Sequence, residues 1–300
     1  MCVNLDTLFS ETMERLIGTL KNTIYKFEVE MDCCQPDEAL FHLDFDEDGY
    51  SQKSLLNLIK RSVMYFALTP KEFKDMSKHE VHEMSPTAWT RISTANKNAK
   101  GDYGELLLYL ILSAFYPAKR FVTKVKLRSN QADQIKGFDC AHFSIDADGE
   151  LNFWLGEAKF RSSFSDAVAD AFKSLDDHCK ADFISSEFKI LAPNIEINSK
   201  LPEYQKLLAA LRGEHRIKNL RFVFPILITY DSTAIKNSKA IDLEFKEVLE
   251  KEMKKKYEHI RNKWKNEKPN FRFIFMLFPL HAVAELKTSL GMLESAERDA

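Results

Sequence analysis

No stretch of this 300-residue chain is apolar for long enough to read as a transmembrane helix, which needs about 20 residues. The opening Met1-Cys-Val-Asn-Leu-Asp has neither the basic nor the apolar region of a signal peptide, so the expected location is cytoplasmic. The five cysteines, at 2, 33, 34, 140 and 179, contain no Cys-x-x-Cys pair, and their odd number argues against a disulfide framework. Eight histidines form no zinc signature: His79 and His82 lie close together but have neither matching cysteines nor a second histidine pair. Internal repeats and low-complexity tracts are missing. So is an excess of positive charge, the net value being -2, although a dedicated DNA binder is often basic overall.

What remains is the composition of a soluble globular protein, 45% hydrophobic and 29% charged. The length suffices for a large core in one big domain or two.

Its most informative segment is Leu151-Asn-Phe-Trp-Leu-Gly-Glu-Ala-Lys-Phe160, which follows the turn signal Asp146-Ala147-Asp148-Gly149 and is rich in aromatic and aliphatic residues. A strand is predicted, with Gly137 to Ile145 as its hairpin partner. Side chains alternate across a strand, so Glu157 and Lys159 share a face with Phe153 and Leu155. Both faces are largely apolar, as in a central, doubly covered strand. Two charges there are costly to desolvate unless each finds a partner. Asp139, on the neighbouring strand, would bring a second carboxylate. Hard cations such as Mg²⁺ or Mn²⁺ take oxygen ligands of this kind. Asp139 and Glu157 would then hold the metal, which activates water and polarises a scissile phosphate, with Lys159 orienting the water or neutralising charge. The plainer alternative is a buried Glu157–Lys159 ion pair beside an unrelated turn aspartate.

A third acid is Glu105. Gly101-Asp102-Tyr103-Gly104-Glu105 runs into Leu106-Leu-Leu-Tyr-Leu-Ile-Leu-Ser-Ala-Phe115 and stops before Pro117, which predicts a buried helix. Glu105 in its first turn either complements the helix dipole or is aimed at the metal site.

This order, helix Glu105, strand Asp139, strand Glu157-x-Lys159, resembles the PD-(D/E)xK superfamily. The resemblance implies an α/β fold with a restriction-endonuclease-like core, a mixed central sheet flanked by helices. Glu105, Asp139 and Glu157 become its metal-site acids and Lys159 its catalytic lysine. Phe138 stands where a proline often precedes the aspartate, and the Gln and Tyr that some branches carry on the next helix are not found. More closely, Lys100-Gly-Asp-Tyr-Gly-Glu105-Leu106, Gly137-Phe-Asp139 and Trp154-Leu-Gly-Glu-Ala-Lys159 resemble the nuclease subunit of the Hachiman antiphage defence system. That implies a Mg²⁺-dependent DNA nuclease governed by a superfamily 2 helicase subunit. A stand-alone restriction-type endonuclease and an inactive nuclease-fold module that binds DNA or a partner are the alternatives.

Charge is unevenly distributed. Lys119, Arg120, Lys124, Lys126, Arg128 and Lys136 face one acid, Asp133, just before the proposed site. They form a candidate phosphate-contacting surface, a merely solvated face being the alternative. Between Glu28 and Asp48 nine acids meet no Lys or Arg, a stretch that would repel DNA and either contacts a basic partner or is ordinary acidic surface. Within it, Asp44 to Gly49 imitates a calcium loop, but its twelfth position is Leu55, and calcium is rejected.

Residues 1–95 read as an α+β extension and possible partner-binding region, with helices at Leu8–Leu20, Ser54–Leu68 and Lys71–Met84 and a strand near Thr23–Met31. Residues 96–300 read as the nuclease core with C-terminal strands and helices. There Ser165–Cys179 is a predicted helix, Glu187–Ile197 a further strand, and Leu220–Tyr230 and Asn270–Leu280 buried strands. Phe245, Leu249, Met253, Tyr257, Ile260 and Trp264 mark an amphipathic helix, whose second half is basic.

Overall fold

The computed structural model describes residues 5–27, 36–47, 49–79, 81–92, 101–122, 137–195, 202–214, 216–265 and 269–298. Its helices are α1 (Leu5–Lys21), α2 (Gln52–Ala67), α3 (Pro70–His79), α4 (Met84–Arg91), α5 (Gly101–Phe115), α6 (Phe164–His178), α7 (Ala181–Leu191), α8 (Pro202–Leu211), α9 (Thr233–Asn237), α10 (Leu243–Lys263) and α11 (Val283–Arg298). Its strands are β1 (Ile24–Lys26), β2 (Asp37–Leu43), β3 (Phe45–Asp46), β4 (Gly49–Tyr50), β5 (Lys119–Val122), β6 (Cys140–Ile145), β7 (Leu151–Phe160), β8 (Arg221–Asp231) and β9 (Phe271–Leu280).

Seven strands form one sheet in the order β1-β2-β9-β8-β7-β6-β5. The middle run β2, β9, β8, β7 is parallel, whereas β1 on one side and β6 and β5 on the other pair antiparallel. Alternation along the strands sends side chains into two cores. From β9, Ile274, Met276 and Phe278 enter the core built with α1, α2, α4, α5 and α11. Phe273, Phe275 and Leu277 enter the one built with α6, α7, α8 and α10. The result is the expected mixed sheet flanked by helices, with parallel strands covered on both faces.

Most elements follow from local pattern. The helix expected around Phe245 to Trp264 is α10, burying Phe245, Leu249, Met253, Tyr257 and Ile260, with the Asp242 carboxylate accepting from Phe245 N at 2.8 Å as its N-cap. The strand expected over Glu187–Ile197 is not observed among the described residues, 196 and 197 lying outside them: residues 181–191 are helical. Ile184, Phe188 and Leu191 recur at helical spacing and pack inward, as does Glu187.

The acidic stretch hides a strand. β2 pairs parallel with β9, Asp37 opposite Ile274 through Leu40 opposite Leu277. Its two leading acids are neutralised from elsewhere: Arg261 of α10 donates to Glu38 at 2.7 Å through both Nε and Nη2, and Arg272 of β9 donates to Asp37 at 2.5 Å. β1 and β2, which lie within residues 1–95, belong to the sheet that carries Glu157. The mock calcium loop is a two-stranded hairpin, with Phe45 opposite Tyr50.

Candidate active site

The β6–β7 ladder has its last paired residues at Cys140 and Gly156, and the Asp139 N–H donates to Gly156 O at 2.8 Å just beyond them. Continuing that register sets Asp139 across from Glu157. Past this point β7 runs on to Phe160 without β6. A backbone donor inside a protein needs a partner, and the N–H of Ala158 donates to Oδ2 of Asp139 at 2.8 Å. The Asp139 carboxylate thus stands in for the missing strand and is fixed beside the Glu-x-Lys segment.

Glu157 and Lys159 lie on the Phe153 face, as alternation predicts, and meet α6. Their side chains are only 7% and 16% exposed. Lys159 Nζ donates to Glu157 Oε1 at 2.5 Å and to Ser174 Oγ at 2.9 Å. On the other side, His178 Nδ1 faces Glu157 Oε2 at 3.5 Å. Burial works to raise the Glu157 carboxyl's pKa, but His178 and the Lys159 ammonium outweigh it and hold it below the ordinary 4.5. The His178 ring is itself held, stacked on Phe183 at 4.3 Å between centroids and edge-on to Phe138 at 5.1 Å.

Ser174 and His178 are additions that sequence reasoning missed. The one available signal was their four-residue spacing on a predicted helix following the motif, which puts both on one helical face. The helix after β7 does carry a polar pair, although not Gln and Tyr.

Two glycines make the geometry possible. A Cβ on Gly156 would lie 2.4 Å from Cys140 Sγ, 2.8 Å from Leu108 Cδ2 and 3.1 Å from Pro225 Cγ. Pro225 sits on β8 opposite Gly156, where the register leaves β7–β8 pairing interrupted between Trp154 and Glu157. A proline in a central strand thus spends its missing donor beside a residue with no side chain. Gly137 has φ +145, and a Cβ there would meet Glu187 Oε2 at 2.3 Å. Glu187, buried on α7, accepts from Phe138 N at 3.3 Å, and so clamps the backbone leading into Asp139.

Glu105 is buried on α5. Its neighbour Gly104 packs on β7 so closely that an added Cβ would lie 3.2 Å from the Cβ atoms of Ala158 and Phe160. The helix acid is therefore next in sequence to the residue covering Ala158, whose N–H holds Asp139. Among the described residues, no three or more His, Cys, Asp or Glu side chains are gathered closely enough to hold a metal ion. Glu157 here pairs its Oε1 with the Lys159 ammonium, while the buried Oε2 has the His178 ring beside it but no hydrogen-bond partner. The donor chemistry still suits a hard cation, because Asp139, just before β6, and Glu157, on β7, offer carboxylate oxygens from neighbouring positions.

The basic surface is only partly visible. Lys124, Lys126, Arg128 and Lys136 lie outside the described residues, and Lys119 is exposed at the start of β5. Arg120 differs from expectation: its guanidinium donates to the carbonyls of Tyr65 at 2.7 Å, Phe66 at 3.0 Å and Leu68 at 3.4 Å, and lies over the Tyr109 ring. The last carbonyls of α2 have no intrahelical partners, and by capping them Arg120 ties β5 to that helix.

Among the described residues no helix is long and apolar enough to cross a membrane. No curated protein matches the chain. The family model HamA matches residues 19–291, spanning every element of the site, and the chain belongs to the HamA family of the Hachiman antiphage defence system.

Proposed function

We propose that the chain is a metal-dependent DNA nuclease with a restriction-endonuclease-like core, acting as the effector of its defence system under control of a superfamily 2 helicase subunit. The observation that carries this reading is the placing of Asp139 at the end of the β6–β7 ladder, tied to Ala158 and flanked by the paired Glu157 and Lys159.

Mg²⁺ or Mn²⁺ bound by Asp139 and Glu157, with Glu105 as the third acid, would polarise the scissile phosphate and lower the pKa of bound water. The chain's own residues supply the rest. Ser174 and Glu157 hold the Lys159 ammonium at one height above the sheet, where it would neutralise charge developing on the phosphate. His178 keeps Glu157 ionised, and an ionised carboxylate is the form a metal requires. The segment 1–95 and its acidic stretch remain the proposed contact for the helicase.

The test is cleavage of linear and circular DNA by purified protein with Mg²⁺, with and without the helicase and ATP. Asp139→Ala, Glu157→Ala and Lys159→Ala should each abolish cleavage in folded protein, and undiminished cleavage by all three sinks the reading. One observation favours a second reading, a nuclease-fold binding module: Glu157 Oε1 is already paired with the Lys159 ammonium. Calorimetric Mg²⁺ binding that disappears in Asp139→Ala excludes it.

A further inference from the structure

A cavity of about 550 Å³ opens beyond the carboxyl ends of β7 and β8, between the first turn of α6 and the flank of α10. Ligands of parallel sheets bind at this end, and the volume falls in the range of ligand sites. Lys251, Lys255 and His259 line it from successive turns of α10, facing Ser165 and Thr233.

The two acids at its wall are already engaged. Asp231 accepts from Val283 N at 2.8 Å and pairs with Lys236 at 3.4 Å. Glu252 accepts from Ser232 Oγ at 2.8 Å and Ala234 N at 3.0 Å. By contrast, Lys251 and Lys255 are exposed and ion-paired with nothing among the described residues. His259 Nε2 is buried with no hydrogen-bond partner. Unpaired cations, two hydroxyls and an unsatisfied ring nitrogen around one concavity suit a tetrahedral oxyanion.

We propose that this cavity seats a backbone phosphate of the nucleic-acid strand, about four nucleotides from the bond held at Glu157. The spacing follows from α6, along which Ser174 stands ten positions after Phe164, a rise of roughly 15 Å, against about 3.4 Å per charge along one strand. A polyanion fits better than a free nucleotide for two reasons. Lys263 extends the basic row of α10 by one more turn beyond His259. The aromatic ring at the cavity, Phe164, is covered by Lys256 Nζ at 4.4 Å, leaving that face unavailable for stacking a base. The proposal rests on the nuclease reading for the identity of the strand.

Anisotropy of a labelled DNA oligonucleotide in EDTA, across a salt series, tests it on the full chain. The double variant Lys251→Ala, Lys255→Ala should bind about ten-fold more weakly, with the slope of log K on log salt reduced by about one. Lys254→Ala, on the same helix but paired with Glu250 at 2.5 Å, should change neither. Unaltered affinity and slope in the double variant overturn the proposal. So does stronger competition from a mononucleotide than from an oligonucleotide at equal phosphate. Mg²⁺-dependent cleavage by the same samples separates the two readings: if only the nuclease reading fails, wild-type protein does not cut but Lys251 still governs binding. If only the pocket fails, cleavage is normal and binding is indifferent to Lys251.

Discussion

His178 Nδ1 lies 3.5 Å from Oε2 of Glu157 while Lys159 Nζ sits 2.5 Å from Oε1, so one buried carboxylate is held between two basic groups from different elements. The arrangement ties the ionisation of Glu157 to the position of α6.

His178→Phe should keep the stacking on Phe183 and Phe138 while removing the nitrogen. The fold is expected to survive with a melting temperature close to wild type, whereas the acid limb of the pH–rate profile moves upward because Glu157 loses one group that keeps it ionised. An unmoved limb would assign His178 a packing role alone.

Removing Lys159 leaves a carboxylate that is 7% exposed without its closest counter-charge. Lys159→Met should destabilise the chain by about 3 kcal/mol, and adding Glu157→Gln should recover much of the loss. A double-mutant cycle from urea denaturation measures the coupling. Strict additivity would contradict the pairing.

Acid sensitivity follows from two carboxylates. In Glu72, burial raises the pKa, but Arg91 and Thr69 outweigh it and bring it down to about 2; Glu157 is also held below 4.5. As the pH falls below that unfolded value, the unfolded chain takes up protons that the folded chain refuses. The stabilisation is therefore complete above 4.5 and lost progressively toward about 2. Denaturation midpoints measured as the pH is lowered should fall less steeply in Glu72→Gln and Glu157→Gln than in wild type.

Gly156→Ala should cost about 1–3 kcal/mol through overpacking, since its methyl group would meet Cys140, Leu108 and Pro225 at once. Pairing it with Cys140→Ser tests the cause poorly, because Leu108 and Pro225 still obstruct. Pairing it with Pro225→Ala should relieve only part of the loss. Thermal melts decide the matter.

The sheet's centre and the long helices were legible because their periodicity is local: β8 and β9 are apolar runs, and α10 repeats its buried residues every three or four positions. The placing of Glu157 and Lys159 on β7, with Asp139 at the entry to the neighbouring β6, followed from the turn at 146–149 and from alternation. β2 was hidden because its acids are neutralised by Arg261 and Arg272, which stand 223 and 235 residues away. Ser174 and His178 were hidden for a similar reason: helical spacing says which residues share a face, not which strand that face meets. Arg120 reads as surface charge until the carbonyls at the end of α2 are placed under it.

The parallel pairing of β2 with β9 has a practical corollary for anyone trimming the chain. A fragment beginning near residue 96 would strip β1 and β2 away, exposing the hydrogen-bonding flank of a long hydrophobic strand to neighbouring molecules. Such a fragment is expected to aggregate. A helicase that docks on the first 95 residues would then be gripping one end of a continuous hydrogen-bonded plate that carries Asp139 at the entry to the β6–β7 ladder, with β9, β8 and β7 lying between β2 and β6.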